Sequence, residues 1–340
     1  MLPNSRTIGQ AARILIGVGI VAAIFAYLIR GMVSNWSELE AEDIDVQPAL
    51  LVASAGFLAG DAILRSLIWR NLVTYYDGRA RLPFGRLMTV FVFSWMGRYV
   101  PGKVAYVVGR FFLGRSAGVS SSALVGSLAY ENALLLLAAL GLASVTLVPS
   151  LAMESESFLP YLVLPAVAVA GVVALQPPVL RRALQVILRF LGREPAEADW
   201  LLPSRQMAKV ILFYVVVFCL SGTGFYLMIV SLTPFSPRYL PLSIGLFTLA
   251  GVAGMVSILT PAGIGVREGV IVGVLQFTMP FELAVLISLV ARIWATVVDL
   301  LLLAGCFIYD FSSGDRLLLS AIRGTREPEA ARDPAGAADP

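Results

Sequence analysis

Apolar stretches long enough to cross a bilayer recur along this chain, separated by short segments in which the charge gathers. Spanning takes about 20 apolar residues, and six stretches reach or approach that length: 12–29, 49–69, 120–148, 158–175, 209–232 and 281–309. The runs are continuous rather than alternating, which predicts helices and not barrel strands. Two further apolar regions, 84–113 and 240–278, are interrupted. The first contains Pro101-Gly102-Lys103 and the second Pro261-Ala262-Gly263-Ile264-Gly265-Val266-Arg267-Glu268-Gly269. Proline removes an intrahelical donor and glycine weakens a helix. Charge at such a break is costly in a membrane unless it lines a polar cavity or is buried in protein. Two broken regions, one per half, predict a site built from discontinuous helices.

Loop charge sets the orientation. Segment 34–46 holds Glu38, Glu40, Glu42, Asp43 and Asp45 without Lys or Arg, and the loop with Glu154 and Glu156 is also acidic. Segment 70–86 holds Arg70, Arg79, Arg81 and Arg86 against Asp77. Segment 176–208 holds Arg181, Arg182, Arg189, Arg193 and Arg205, and the tail holds Arg316, Arg323 and Arg326. Basic and acidic loops therefore alternate, predicting an N-in, C-in protein. Region 84–113 is flanked by Arg86, Arg110 and Arg115, so it starts and ends inside as a re-entrant hairpin. Region 240–278 must start and end outside. The expected fold is an all-α polytopic membrane protein, with about six full spans and two oppositely oriented re-entrant hairpins in an inverted repeat. Repeat one covers about 49–148 and repeat two about 209–309, within a single domain over 1–310; 311–340 is expected to be a disordered cytoplasmic tail.

Composition agrees. Of 340 residues 58% are hydrophobic and 14% charged, with a mean hydropathy of +0.84, against about 25% charged in soluble domains. Arg30 directly follows the first run, with no small-x-small cleavage site, so 12–29 reads as an uncleaved span and not a signal. Residues 179–191 carry Leu180, Leu184, Ile187 and Leu191 at helical spacing with Arg181, Arg182 and Arg189 between them. This is either an interfacial helix or a plain basic loop. Gly56 and Gly60 are spaced for helix packing. The GIGVREG run has neither the spacing nor the preceding strand of a dinucleotide fingerprint. Histidine is absent, so no metal site, cofactor or enzymatic role is expected. Cys219 and Cys306 lie in apolar runs as small hydrophobes.

The candidate chemistry is the charge inside the apolar spans: Asp61, Arg65, Glu131, Arg292 and Asp299, with Lys103, Arg267 and Glu268 at the breaks and Asn132 beside Glu131. Asp61 and Arg65 share a helical face and can pair locally. Arg292 and Asp299 also share a face. Glu131 follows Pro101 by 30 residues (131 − 101) and Arg292 follows Pro261 by 31 (292 − 261). Arg292 suits a phosphate or carboxylate. Lys103 and Arg267 stand at half-helix N-termini, where positive charge is unfavourable unless an anion is present. Glu131 is a counter-charge for a basic head group or for Arg292 itself.

The segments RYVPGKVAYVVGRFFLGRSAGVS and LTPAGIGVREGVIVGVL, each followed by a span carrying Glu131 or Arg292, resemble the flippase-like transmembrane domain of bacterial lysylphosphatidylglycerol synthase/flippase proteins. Ala262 departs from the expected P-G-G-[IL]-G. The resemblance covers about residues 8–310 and implies movement of an anionic or aminoacylated phospholipid, or a lipid-linked head group, between leaflets. It gives no support to lysyl transfer by this chain, because the family's soluble transferase domain has no counterpart after Tyr309. Implied with it are the bacterial inner membrane, a lipid partner rather than nucleic acid, and association as a homodimer or with a separate lipid-modifying enzyme. A secondary transporter of a small anion and a non-transporting accessory subunit of lipid or glycan biosynthesis are the competing readings.

Overall fold

The computed structural model describes residues 46–78, 82–99, 104–152, 163–179, 182, 201–257, 260 and 263–313. The expected span at 12–29, the acidic segment up to residue 45, most of 179–191, the break residues Pro101, Gly102, Lys103 and Pro261, and the tail from 314 lie outside the described residues.

Within the described residues every regular element is helical. In order these are α1 (Pro48–Tyr76), α2 (Phe84–Met96), α3 (Val104–Ser116), α4 (Ser121–Ala152), α5 (Val163–Leu175), α6 (Ser204–Val230), α7 (Leu240–Val256), α8 (Val266–Leu275) and α9 (Phe281–Ser312), with 3₁₀ turns at Gly97–Tyr99 and Pro237–Tyr239. Prolines punctuate the starts: Pro83, Pro203 and Pro280 precede α2, α6 and α9, where a missing amide costs no helical bond. Among the described residues five stretches are long and apolar enough to cross a membrane: α1, Ser121–Leu147 of α4, α6, Pro237–Val256 around α7, and α9. The protein is an all-α, multi-pass membrane protein. Exposed side chains such as Val52, Leu212, Ile293, Leu301 and Phe311 are apolar, as a lipid-facing surface requires.

The expected full spans at 49–69, 120–148, 209–232 and 281–309 correspond to α1, α4, α6 and α9. Of 158–175, only the part from Val163 is described, as α5. Region 240–278 differs from two equal half-helices. With its leading 3₁₀ turn, α7 reaches 20 residues, whereas α8 has only 10. No proline follows Pro241 until Pro261, so α7 continues to spanning length.

Lipid supplies no hydrophobic drive between helices, so they associate through close packing of small residues. α1 packs along α6, α4 on α7, and α2 on α9. At the α1–α6 seam the Ser54 hydroxyl donates to the Gly224 carbonyl at 2.7 Å. A Cβ on Gly245 would lie 2.1 Å from Thr146 Oγ1, and one on Gly222 would lie 2.4 Å from Ile244 Cα. The Gly56/Gly60 pair is split: Gly60 lies against Leu220, while Gly56 faces open space.

Both interrupted regions turn sharply. At the first, Gly97 lets the end of α2 meet the start of α3, since a Cβ there would lie 2.5 Å from Tyr106 N. At the second, Gly263 (φ 69°) and Gly265 (φ 85°) hold left-handed conformations that L side chains avoid. Gly263 also presses on Gly254, with 2.2 Å left for a Cβ.

The apolar core gathers in three clusters, around Leu246 and Ile287, around Leu72 and Leu134, and around Trp69 and Leu124. Residues from all three border one cavity.

Candidate functional site

The cavity measures about 320 Å³ and is bordered by α1, α2, α3, α4, α6, α7, α8 and α9. Its wall is largely apolar, with Leu58, Leu135, Phe218, Val252 and Met255 among the lining residues. Seven charged side chains reach it: Asp61, Arg65, Arg98, Glu131, Arg267, Arg292 and Asp299; Asn132 lines it as well. Most of the candidate residues are thus brought to one space. Lys103 lies outside the described residues, and Glu268 stands just behind the wall.

Among the described residues four ion pairs organise the charge. On α1, Arg65 Nε meets Asp61 Oδ2 at 2.7 Å and its NH2 meets Oδ1 at 3.0 Å. The pair closes one helical turn, as the i,i+4 spacing predicts. Arg98, in the turn after α2, pairs with Asp299 on α9, and the Tyr99 hydroxyl donates to the same carboxylate oxygen at 2.7 Å. Asp299 is therefore joined to the first broken region and not to Arg292 on its own helix.

Arg110 on α3 pairs with Glu131 on α4 at 3.2 Å. Arg110 is fully buried, with its Nε donating to Ser94 Oγ at 2.7 Å. Its guanidinium lies 4.7 Å from the Trp69 ring centre and 4.4 Å from that of Phe91. This corrects its sequence-based placement as a loop charge. Tyr106 stands one turn before Arg110 on the same face, and both groups reach Glu131. That aromatic neighbour four residues away was the available signal. The exposed Arg115 remains as the basic residue closing this region.

The fourth pair joins Arg292 NH1 on α9 to Glu268 Oε1 on α8 at 3.8 Å. Glu268 Oε2 accepts the Gly265 amide at 2.6 Å. The carboxylate thus caps the positive end of α8, the place where an external anion was expected. Glu131, weighed as a partner of Arg292, is bonded to Arg110 instead.

Arg267 differs from the rest. Among the described residues no carboxylate lies within 4.0 Å of it, and its guanidinium stacks 4.4 Å from the Phe247 ring centre. Its charged surroundings are Arg292 and Arg98, which repel it, and Glu268 and Asp299, which attract it. Across the lining and the two residues behind it there are five arginines and four carboxylates. Four pairs account for eight of these, and Arg267 leaves one net positive charge.

Asn132 donates to the Leu128 carbonyl at 2.7 Å. Sequence reasoning did not mark Arg98, Arg110, Tyr99 or Tyr106 as site residues; Arg98 and Tyr99 precede Pro101 by three and two positions and belong to the same broken region. Among the described residues no three His, Cys, Asp or Glu side chains form a group able to hold a metal.

No curated protein matches the chain. A family model described as the lysylphosphatidylglycerol synthase TM region matches residues 14–302, more than four-fifths of the 340 residues. This agrees with the resemblance carried by the two proline–glycine motifs. It marks a membrane protein of a lipid-related family, and the chain belongs to the family of the lysylphosphatidylglycerol synthase TM region.

Proposed function

We propose that the protein carries the head group of a membrane lipid, an anionic or aminoacylated phospholipid or another lipid-linked group, from one leaflet to the other through this cavity. The observation that carries the reading is a charge-lined space with apolar walls inside the helical bundle, holding one arginine beyond its four ion pairs. A polar head group needs such a space to avoid the cost of entering hydrocarbon, and acyl chains can stay against the apolar wall or in the bilayer.

The architecture in this reading is an inverted repeat, about 49–148 and 209–309. Exchange α1 with α6, α2 with α7, α3 with α8 and α4 with α9. Each packed pair of α-helices then maps onto another packed pair or onto itself, except α4 with α5, which lies outside the repeats. Two of the four ion pairs follow the exchange with their signs reversed, Arg110–Glu131 between α3 and α4 and Glu268–Arg292 between α8 and α9. Helices α2 and α3 have 13 residues each and α8 has 10. At 1.5 Å per residue they measure about 20 Å and about 15 Å, short of the ~30 Å core, which supports re-entrant arms. Loop charge supports an N-in, C-in orientation in a bacterial cytoplasmic membrane. In this reading the protein works as a carrier and not as an enzyme, alone, as a homodimer or beside a separate lipid-modifying enzyme.

Reconstitution tests it. Vesicles carrying the purified protein and a trace of acyl-labelled anionic phospholipid are exposed to a membrane-impermeant quencher. The proposal expects quenching beyond the outer-leaflet fraction. Quenching that stops at the level of protein-free vesicles, for every lipid tried, refutes it.

A further inference from the structure

The cavity's chemistry narrows the cargo, and the narrowing rests on the lipid-translocation reading above. We infer that the site selects a lipid whose head group carries one net negative charge, at a phosphate ester, and no ammonium group.

A cation is recognised by a free carboxylate or by an open aromatic face. Neither is available here among the described residues. Asp61 is held bidentate by Arg65, Glu131 by Arg110, and Asp299 by Arg98 and Tyr99; Glu268, buried behind the wall and not among the lining residues, gives one oxygen to the Gly265 amide and keeps the other, which makes no hydrogen bond, 3.8 Å from Arg292. The five aromatic rings that line the cavity, Phe91, Trp95, Tyr106, Phe218 and Phe247, each already carry a guanidinium within 6 Å. An arriving ammonium would have to break one of these arrangements and strand an arginine in a low-dielectric interior, which is strongly unfavourable.

An anion meets the opposite situation. Arg267 faces the cavity; its charged neighbours are Arg292 and Arg98 together with Glu268 and Asp299, and since these two carboxylates are already paired with those two arginines, the charge of Arg267 stays uncompensated. One phosphate diester charge neutralises the site, and the planar guanidinium fork suits phosphate oxygens. A lysyl ester of phosphatidylglycerol brings a phosphate and two ammonium groups, hence a net positive charge, to a site that is already positive.

The experiment compares head groups in one protein. Full-length protein is reconstituted in phosphatidylcholine vesicles with trace acyl-labelled phosphatidylglycerol, its lysyl ester, or phosphatidylcholine. Phosphatidylglycerol is expected to cross at least about tenfold faster than either of the others. In detergent, phosphatidylglycerol should raise the melting temperature of the wild type but not of Arg267→Gln, while Arg267→Lys keeps part of the rise. A purely structural Arg267 would instead lower the lipid-free melting temperature and leave the lipid-induced rise intact, overturning the assignment. Lysyl ester crossing as fast as phosphatidylglycerol would overturn the selectivity and leave translocation standing. Movement of no lipid, with uptake of radiolabelled inorganic phosphate into the same vesicles, would overturn both readings in favour of a soluble-anion carrier.

Discussion

Replacing Arg110 with methionine should destabilise the protein severely, and Glu131→Leu should rescue much of that loss. Arg110 has no exposed surface and the Glu131 side chain is only 4% exposed, so neither charge is shielded by water. With Arg110 gone, Glu131 keeps a single long contact, 3.5 Å from the Tyr106 hydroxyl. Removing one partner of a buried pair costs about 3–5 kcal/mol, because the remaining charge is stranded. Replacing both partners by apolar groups of similar volume is often neutral or stabilising. The double variant is therefore expected within about 1–2 kcal/mol of the wild type, so that Glu131→Leu recovers about 2–3 kcal/mol of the Arg110→Met loss. The cycle is read from denaturation of the four purified proteins in one detergent. Additive losses, with the double variant worse than either single one, would refute the assignment of these two groups as a pair.

Four other outcomes follow from the geometry and the expected topology. Gly263→Ala combines a positive φ with a 2.2 Å approach to Gly254, so it should cost more than the ~1–2 kcal/mol of left-handed backbone alone. Gly273→Ala, inside α8 where a Cβ meets nothing within 4 Å, should instead melt no lower than the wild type and gain up to about 1 kcal/mol. Asp299→Asn removes the carboxylate that holds Arg98 and Tyr99 and raises the cavity's charge by one. Titration with phosphatidylglycerol should show affinity higher by about tenfold; unchanged affinity would remove Asp299 from the charge balance. In a background lacking Cys219 and Cys306, single cysteines at Asp77 and Arg115 should label from one side of the membrane. Cysteines at Arg238 and Gln276 should both label from the other. Labelling of Asp77 and Arg115 from opposite sides would make the first interrupted region a full crossing.

The helical class and the long spans are legible in the sequence because membrane-length apolar runs impose them: α1, α4, α6 and α9 fall where hydropathy places them. The local pair Asp61–Arg65 is legible for a similar reason, since an i,i+4 spacing needs no knowledge of tertiary structure. The partners of Glu131, Arg292 and Asp299 are not. Each is held by a residue from another helix, Arg110, Glu268 and Arg98, and single-chain spacing carries no information about which helices meet. Arg110 was misread because an arginine near a helix end usually marks the cytoplasmic side. Here Trp69, Phe91 and Tyr106 enclose it. Glu268 illustrates a subtler limit. Its position beside a glycine break suggested substrate chemistry, yet one of its oxygens caps the helix that carries it.

The claim that lipid head groups pass through the cavity is tested most directly by filling it. Gly251 on α7 lines the cavity, and a Cβ there meets no atom within 4 Å. Gly251→Ala should leave translocation intact and stabilise α7 by up to about 1 kcal/mol. Gly251→Trp places a large ring in a space of about 320 Å³ while straining no packed neighbour at its base. The measurement is the rate of phosphatidylglycerol movement in vesicles containing each variant, with melting temperatures recorded alongside. The account predicts that Gly251→Trp melts like the wild type and moves lipid no faster than protein-free vesicles. Wild-type rates in a folded Gly251→Trp protein would mean that the head group takes another path.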